Sequence, residues 1–198
     1  QERGGISLVI DIQNSIKAQE SRGYEHWAKI HNLKQAARTL NFLTENRIDS
    51  YAELSAKIAE VNAASEQAAG ALKGVERRLA DMAVLIKNVT TYQKTKPVYD
   101  AYRRAKDKAA YRAAHESSII LFEAAVKAVK PALVGGKLPN VAALQAEYAK
   151  LQEQKETLYA DYGRLKKQVK EYDVIKRNID SILRRESEPE RGKENVRG

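Results

Sequence analysis

Lysine and arginine crowd residues 93–137, and tyrosines are interleaved with them. The cations are Lys94, Lys96, Arg103, Arg104, Lys106, Lys108, Arg112, Lys127, Lys130 and Lys137, ten in all, against Asp100, Asp107, Glu116 and Glu123. The segment therefore carries +6 of a total formal charge of +9. Tyr92, Tyr99, Tyr102 and Tyr111 fall within or beside it. Cations that neutralise phosphates, with rings on which bases can stack, are the side chains that single-stranded nucleic acid requires. The candidate contact residues are Lys94, Lys96, Tyr99, Tyr102, Arg103, Arg104, Lys106, Lys108, Tyr111 and Arg112. The competing reading gives Tyr99 and Tyr102 to packing, as anchors of this segment on the helices beneath it. A second basic run, residues 164–185, holds eight cations against three anions and reads as the solvated flank of a long helix.

Nothing else in the chain assembles a reaction centre. His26, His31 and His115 form no i,i+4 pair, and His26 and His31, five apart, point to different faces of one helix. The chain has no cysteine, so neither a thiolate metal site nor a disulfide framework can form. Gly135-Gly136 follows a helix end rather than a strand, which argues against a phosphate loop, and no nucleophile elbow is present. No catalytic residue, metal ligand or cofactor is expected in this segment.

The elements that must position the basic cluster are set by two heptad stripes. The first is Leu54, Ile58, Val61, Ser65, Ala68, Leu72, Val75, Leu79, Met82, Ile86 and Val89. The second is Leu144, Tyr148, Leu151, Lys155, Leu158, Tyr162, Leu165, Val169, Tyr172, Lys176, Ile179 and Leu183. Steps of four and three keep such a stripe on one side of a helix, ready to seam against a partner. The first stripe alone spans about 50 Å at the helical rise. Lys155 and Lys176 sit in the seam, where their stems can lie along the groove while the ammonium reaches water.

The expected fold is all-α: a long antiparallel coiled-coil helical hairpin with a helical cap at its tip and short N-terminal helices at its open end. Residues 1–5 read as a linker remnant, and the absence of an initial methionine points to a fragment. Residues 6–185 form one elongated helical domain. Within it lie base helices over 6–46, a long helix over 50–95, a tip insertion over 97–139 and a second long helix over 140–185. Ile6, Leu8, Ile10 and Ile12 alternate as in a strand, yet no second strand is available to pair with them, which favours helix. Tyr24, Trp27, Ile30, Leu33, Ala37, Leu40 and Leu43 mark an amphipathic helix.

Ser50 and Glu53 form a capping box for the first long helix. Pro97 is expected to kink or end that helix, with Thr95 capping its continuation. Asn140 caps the second. Gly70 and Gly74, set among alanines, are expected to admit a close partner backbone. Residues 186–198 are polar, charged and expected to be disordered.

Charged residues reach 31% and aromatics only 7%, as suits long solvated helices. No window approaches the roughly 20 apolar residues of a membrane span, and no signal-peptide pattern opens the sequence. A cytoplasmic protein, monomeric as an isolated domain and without membrane insertion, is expected, with an acidic partner to match the charge.

Several blocks resemble the C-terminal helical region of mobilisation relaxases, the DNA-nicking proteins of integrative conjugative elements and mobilisable transposons in Firmicutes. The blocks are Ser7-Leu-Val-Ile-Asp-Ile-Gln13, Gly23-Tyr24-Glu25-His-Trp27-Ala28-Lys29 and Asn32-Leu33-Lys34-Gln35. They continue with Tyr92-Gln-Lys94-Thr95, Val98-Tyr99-Asp-Ala-Tyr102-Arg103, His115-Glu116, Lys137-Leu138-Pro139 and Leu144-Gln-Ala-Glu147-Tyr148. The likeness runs from Ile6 to Leu183, and the Tyr24–Gln35 block is its most specific part.

The resemblance implies a parent that nicks DNA through a tyrosine, with a divalent metal held by histidines in an N-terminal nuclease domain that this chain does not include. No catalytic residue transfers to any position here. It implies an accessory domain contacting single-stranded or origin-of-transfer DNA. The alternative is a coiled-coil arm docking a coupling protein or other conjugation factor, with Tyr24, Trp27, Lys29, Asn32, Lys34 and Gln35 as the interaction surface.

Overall fold

The computed structural model describes residues 7–20 and 26–184, the side chains of 19–20, 26–32 and 184 excepted. Six α-helices follow in order: α1 (Leu8–Glu20), α2 (His26–Glu45), α3 (Tyr51–Arg104), α4 (Lys108–Ala114), α5 (Glu116–Val129) and α6 (Val141–Arg184). A single 3₁₀ turn, Lys130–Ala132, separates α5 from α6, and no strand is present among the described residues. The fold is all-α, with α3 packed against α6. Every position of both heptad stripes is buried or half-buried. The chain divides into two compact units, residues 1–67 with 162–198 and residues 68–161, and α3 and α6 contribute to both.

The first unit is organised around the α2–α3 turn. Helix α2 ends with Arg47 in the left-handed region at φ 55°. The Ile48 amide donates to the Leu43 carbonyl at 2.9 Å and the Arg47 amide to the Thr44 carbonyl at 3.2 Å. This is a Schellman closure, and its usual apolar contact is made by Leu43 and Ile48, both buried in one cluster. The cluster also holds Leu8 and Ile12 of α1, Phe42 of α2, Leu54 of α3, and Tyr172, Ile175 and Ile179 of α6. Phe42 and Tyr172 meet edge to face at 5.0 Å. Three polar contacts fix its edges. Ser15 Oγ donates to the Ile182 carbonyl at 3.1 Å, Asn178 Nδ2 to Thr39 Oγ1 at 3.4 Å, and Tyr51 Oη to Asp180 Oδ1 at 3.0 Å.

The cap of α3 differs from its expected form by one residue. The Glu53 amide donates to Ser50 Oγ at 3.1 Å, but the Glu53 carboxylate accepts from the amide of Asp49, at 2.7 Å, rather than from Ser50. The ambiguous N-terminal segment is helical, as α1, and the Leu8 amide is bonded to the Asp49 carbonyl at 2.9 Å. The linker remnant over 1–5 and the tail over 186–198 lie outside the described residues.

In the second unit α3 and α6 run antiparallel. Val75 and Leu79 cluster with Leu151, and further along α3 Val89 clusters with Leu144 and Val129. The seam lysine Lys155 sends its ammonium to within 3.5 Å of Glu76. Gly70 and Gly74 depart from expectation. A Cβ built on either would meet nothing within 4 Å, so neither admits a partner backbone.

Helix α3 also does not end near Thr95, and Pro97 sits inside it. Pro97 is exposed, so the Gln93 carbonyl that loses its donor can be hydrated. Tyr92, Thr95 and Tyr99, on the covered side of the same turns, hold the helix in place. Thr95 is no cap, since its buried hydroxyl donates to the Thr91 carbonyl at 2.6 Å. Beyond Arg104, α4 and α5 complete this end of the unit. Val134 and Lys137 exchange backbone bonds at 3.1 Å across Gly135 and Gly136, at φ 57° and 74°. Asn140 then caps α6, its Oδ1 accepting from the Ala143 amide at 3.1 Å.

Candidate nucleic-acid interface

The basic segment lies wholly in the second unit, from the last turns of α3 through α4 and α5 to the turn before α6. Its tyrosines and its cations are treated very differently by the fold. Tyr99 stacks on Phe122 of α5 at 4.4 Å and 25°. Tyr92 meets the same Phe122 at 5.0 Å, and Tyr99 meets Tyr102 at 5.8 Å. The Arg112 guanidinium lies 5.8 Å from the Tyr102 ring. Tyr111 stacks on His115 at 4.1 Å and 17°. All four tyrosines are half-buried; Tyr92, Tyr99 and Tyr102 form a ladder that ties α3 to α5, while Tyr111 is stacked on His115 at the α4–α5 junction. Phe122 stands at the centre of that ladder, 6% exposed.

Three of the four acidic side chains are committed as well, while Glu116, in the first turn of α5, is exposed. Asp100 holds Lys96 at 2.6 Å, and the hydrogen bond from that ammonium is the main reason the Asp100 carboxyl is held below the ordinary aspartate range. The same bond raises Lys96. Asp107 caps α4, its Oδ1 accepting from the Ala110 amide at 3.0 Å. Glu123 takes Arg112 through both oxygens, at 3.2 and 3.4 Å, and this bond above all pushes the Arg112 guanidinium up, Tyr102 adding to it.

What remains is a run of cations without a carboxylate. Arg103, Arg104, Lys106 and Lys108 are all exposed, and none has an ion pair among the described residues. The Arg104 Nε bonds only the Asp100 carbonyl, at 3.2 Å. Four cations within six residues, one of the two intervening residues a capping aspartate, give this corner of the unit a concentrated positive charge. Lys94, Lys127, Lys130 and Lys137 are exposed around the same end of the unit. Arg103 and Arg104 also complement the negative end of the α3 dipole.

Comparison with protein-family models, with curated proteins and with solved structures returns no match. The interface is therefore read from its own geometry.

Of the ten expected contact residues, Arg103, Arg104, Lys106 and Lys108 stand together as open charge, and Lys94 is exposed. Lys96 and Arg112 are ion-paired, Tyr99 and Tyr102 are in the ladder, and Tyr111 is stacked on His115. Phe122 and Glu123, which fix that ladder and Arg112, were not anticipated as part of the site. Their signal was the apolar spacing Ile119, Phe122, Ala125 and Val129, which marks the buried face of α5.

Of the expected protein-interaction surface, Tyr24 and the side chains of Trp27, Lys29 and Asn32 lie outside the described residues. Lys34 and Gln35 are exposed on α2. His115 serves structure, its Nδ1 lying 3.1 Å from the Tyr111 carbonyl; His26 and His31 fall outside the described side chains. No cluster of three metal-ligating side chains occurs among the described residues, and no described helix is long and apolar enough to cross a membrane. An open groove of about 630 Å³ on the α3–α6 flank is lined by Glu76, Ala80, Ala83, Lys155, Glu156 and Tyr159. Its two glutamates outnumber its one lysine, itself paired with Glu76, so it offers phosphate no free cation.

Proposed function

We propose that this chain is a non-catalytic accessory domain of a conjugative DNA relaxase that contacts DNA during mobilisation. The observation that supports DNA contact is the Arg103–Lys108 run, in which every cation is exposed while Asp100, Asp107 and Glu123 are already bonded elsewhere. Positive charge that is not neutralised within the protein is available to phosphates, and releasing their counterions drives association. The relaxase parentage comes from the sequence blocks quoted above, the DNA partner being single-stranded or origin-of-transfer DNA. A fluorescent oligonucleotide titrated with the 198-residue chain tests the reading. Binding should weaken steeply with salt and should be lost when Arg103, Arg104, Lys106 and Lys108 are changed together to Gln. Affinity that ignores salt, or survives that change, sinks it.

A second reading, a protein-interaction arm docking a coupling protein or other transfer factor, is favoured by one feature. Helix α5 is apolar on two sides, and while Ile119 and Phe122 are buried, Ile120 and Leu121 are 50% and 53% exposed. An apolar face left open is a docking face in many proteins. A transfer factor that stays bound after nuclease digestion, and is lost on Ile120→Ser with Leu121→Ser, would support this arm. Loss of the factor on digestion alone counts against it.

A further inference from the structure

We infer that the basic corner reads phosphate alone, without base stacking, and so takes duplex DNA in preference to a single strand. The inference rests on the DNA-contact reading and narrows it. Single-strand binders combine a cationic track with aromatic faces open to bases. Here each ring is half-buried and already engaged by a neighbouring side chain. Tyr99 stacks on Phe122 at 4.4 Å and meets Tyr102 at 5.8 Å, tilted by 52°. Tyr102 carries Tyr99 and the Arg112 guanidinium, and Tyr111 carries His115. Opening Tyr99 to a base would break the stack that joins α3 to α5, and opening Tyr111 would break its stack on His115. Tyr159, 66% exposed, is in the groove whose two glutamates, Glu76 and Glu156, outnumber its one cation, Lys155.

The cations, by contrast, need no rearrangement. Arg103, Arg104, Lys106 and Lys108 follow one another over the end of α3 and the link to α4. Such a knot of charge responds to the axial charge density of its partner. Duplex DNA carries one charge per about 1.7 Å of axis, roughly twice the density of a single strand. With four phosphates neutralised, the logarithmic salt slope is about −3.6 on duplex and about −2.8 on a single strand. Raising salt from 50 to 200 mM then weakens duplex binding about 150-fold and strand binding about 50-fold.

The test titrates the 198-residue chain against three labelled probes: a 20-base-pair duplex, one of its strands, and an abasic strand of equal length. The duplex should bind most tightly at 50 mM salt with a slope near −3.6, and the abasic strand should match the base-bearing one within about twofold. The variant Arg103→Gln, Arg104→Gln, Lys106→Gln, Lys108→Gln should flatten all three slopes while its far-ultraviolet circular dichroism stays unchanged. A base-bearing strand bound tenfold more tightly than the abasic strand or the duplex overturns phosphate-only recognition and leaves the DNA-contact reading standing. No binding of any probe at 50 mM salt removes both.

Discussion

Replacing Pro97 with alanine should stabilise this protein, which is unusual for a substitution at a proline outside any turn. Pro97 lies inside α3, so the Gln93 carbonyl has no amide to accept from. Restoring that amide is worth about 1 kcal/mol net, the usual value for a backbone bond formed in competition with water. Relieving the clash between the proline ring and the preceding turn adds to it, up to the roughly 3 kcal/mol that separates proline from alanine in a helix interior. That upper figure already includes the stiffer unfolded chain. Because the Tyr92, Thr95 and Tyr99 side of the helix is packed, α3 cannot relax away from the clash, and a gain of about 1–3 kcal/mol is expected. Urea unfolding should show a higher midpoint at constant slope. Pro97→Gly restores the same amide but should recover about 1 kcal/mol less. An unchanged or lower midpoint for Pro97→Ala would mean that the helix breaks at Pro97, and that the cationic corner is not carried on a continuous α3.

Other outcomes follow from the same packing. Leu43→Ala, at a side chain with 0% exposure, should cost about 2–5 kcal/mol in urea unfolding, whereas Val84→Ala, 59% exposed, should stay within about 0.5 kcal/mol. Gly74→Ala meets no neighbour within 4 Å and should raise stability by up to about 1 kcal/mol; a loss would reveal a covered face there. Arg47→Gly removes a side chain from the left-handed position at φ 55° and should stabilise by roughly 1 kcal/mol in the same assay.

Asp100 should titrate below the ordinary aspartate value by NMR, because the Lys96 ammonium bonds its ionised form. The sign follows from linkage: a depressed carboxyl contributes stability above its unfolded pKa and loses it as pH falls through the folded one. Lys96→Met should return the titration toward normal, and an unmoved midpoint would mean that the pair does not form in solution.

The long helices and their covered faces were legible because a four-three spacing admits only one arrangement of a stripe. Even Ser65, Lys155 and Lys176, the polar members, are half-buried where the spacing requires. Asn140 and the Ser50 end of the α3 cap were legible for the same local reason, a side-chain oxygen three residues before the amide it accepts. The features that escaped are set by partners distant in sequence. Pro97 breaks helices by local rules, yet the turns around it are held by Phe122, more than twenty residues on. An anchoring role for Tyr99 and Tyr102 was legible as one of two readings, but their partners were not, because Phe122 and Glu123, which bring α5 against α3 and hold Arg112, share no periodicity with α3. Gly70 and Gly74 suggested close packing by composition, but the backbone turns them outward.

Every position named here, from the buried Leu43 to the exposed Lys108, depends on the two stripes covering each other inside one molecule. Sedimentation equilibrium over a hundredfold concentration range tests this most directly. A constant mass of 22.2 kDa, with the helix content retained at the lowest concentration, is the predicted result. A mass that climbs toward twice that value, with helix lost on dilution, would mean that the stripes are covered only between chains.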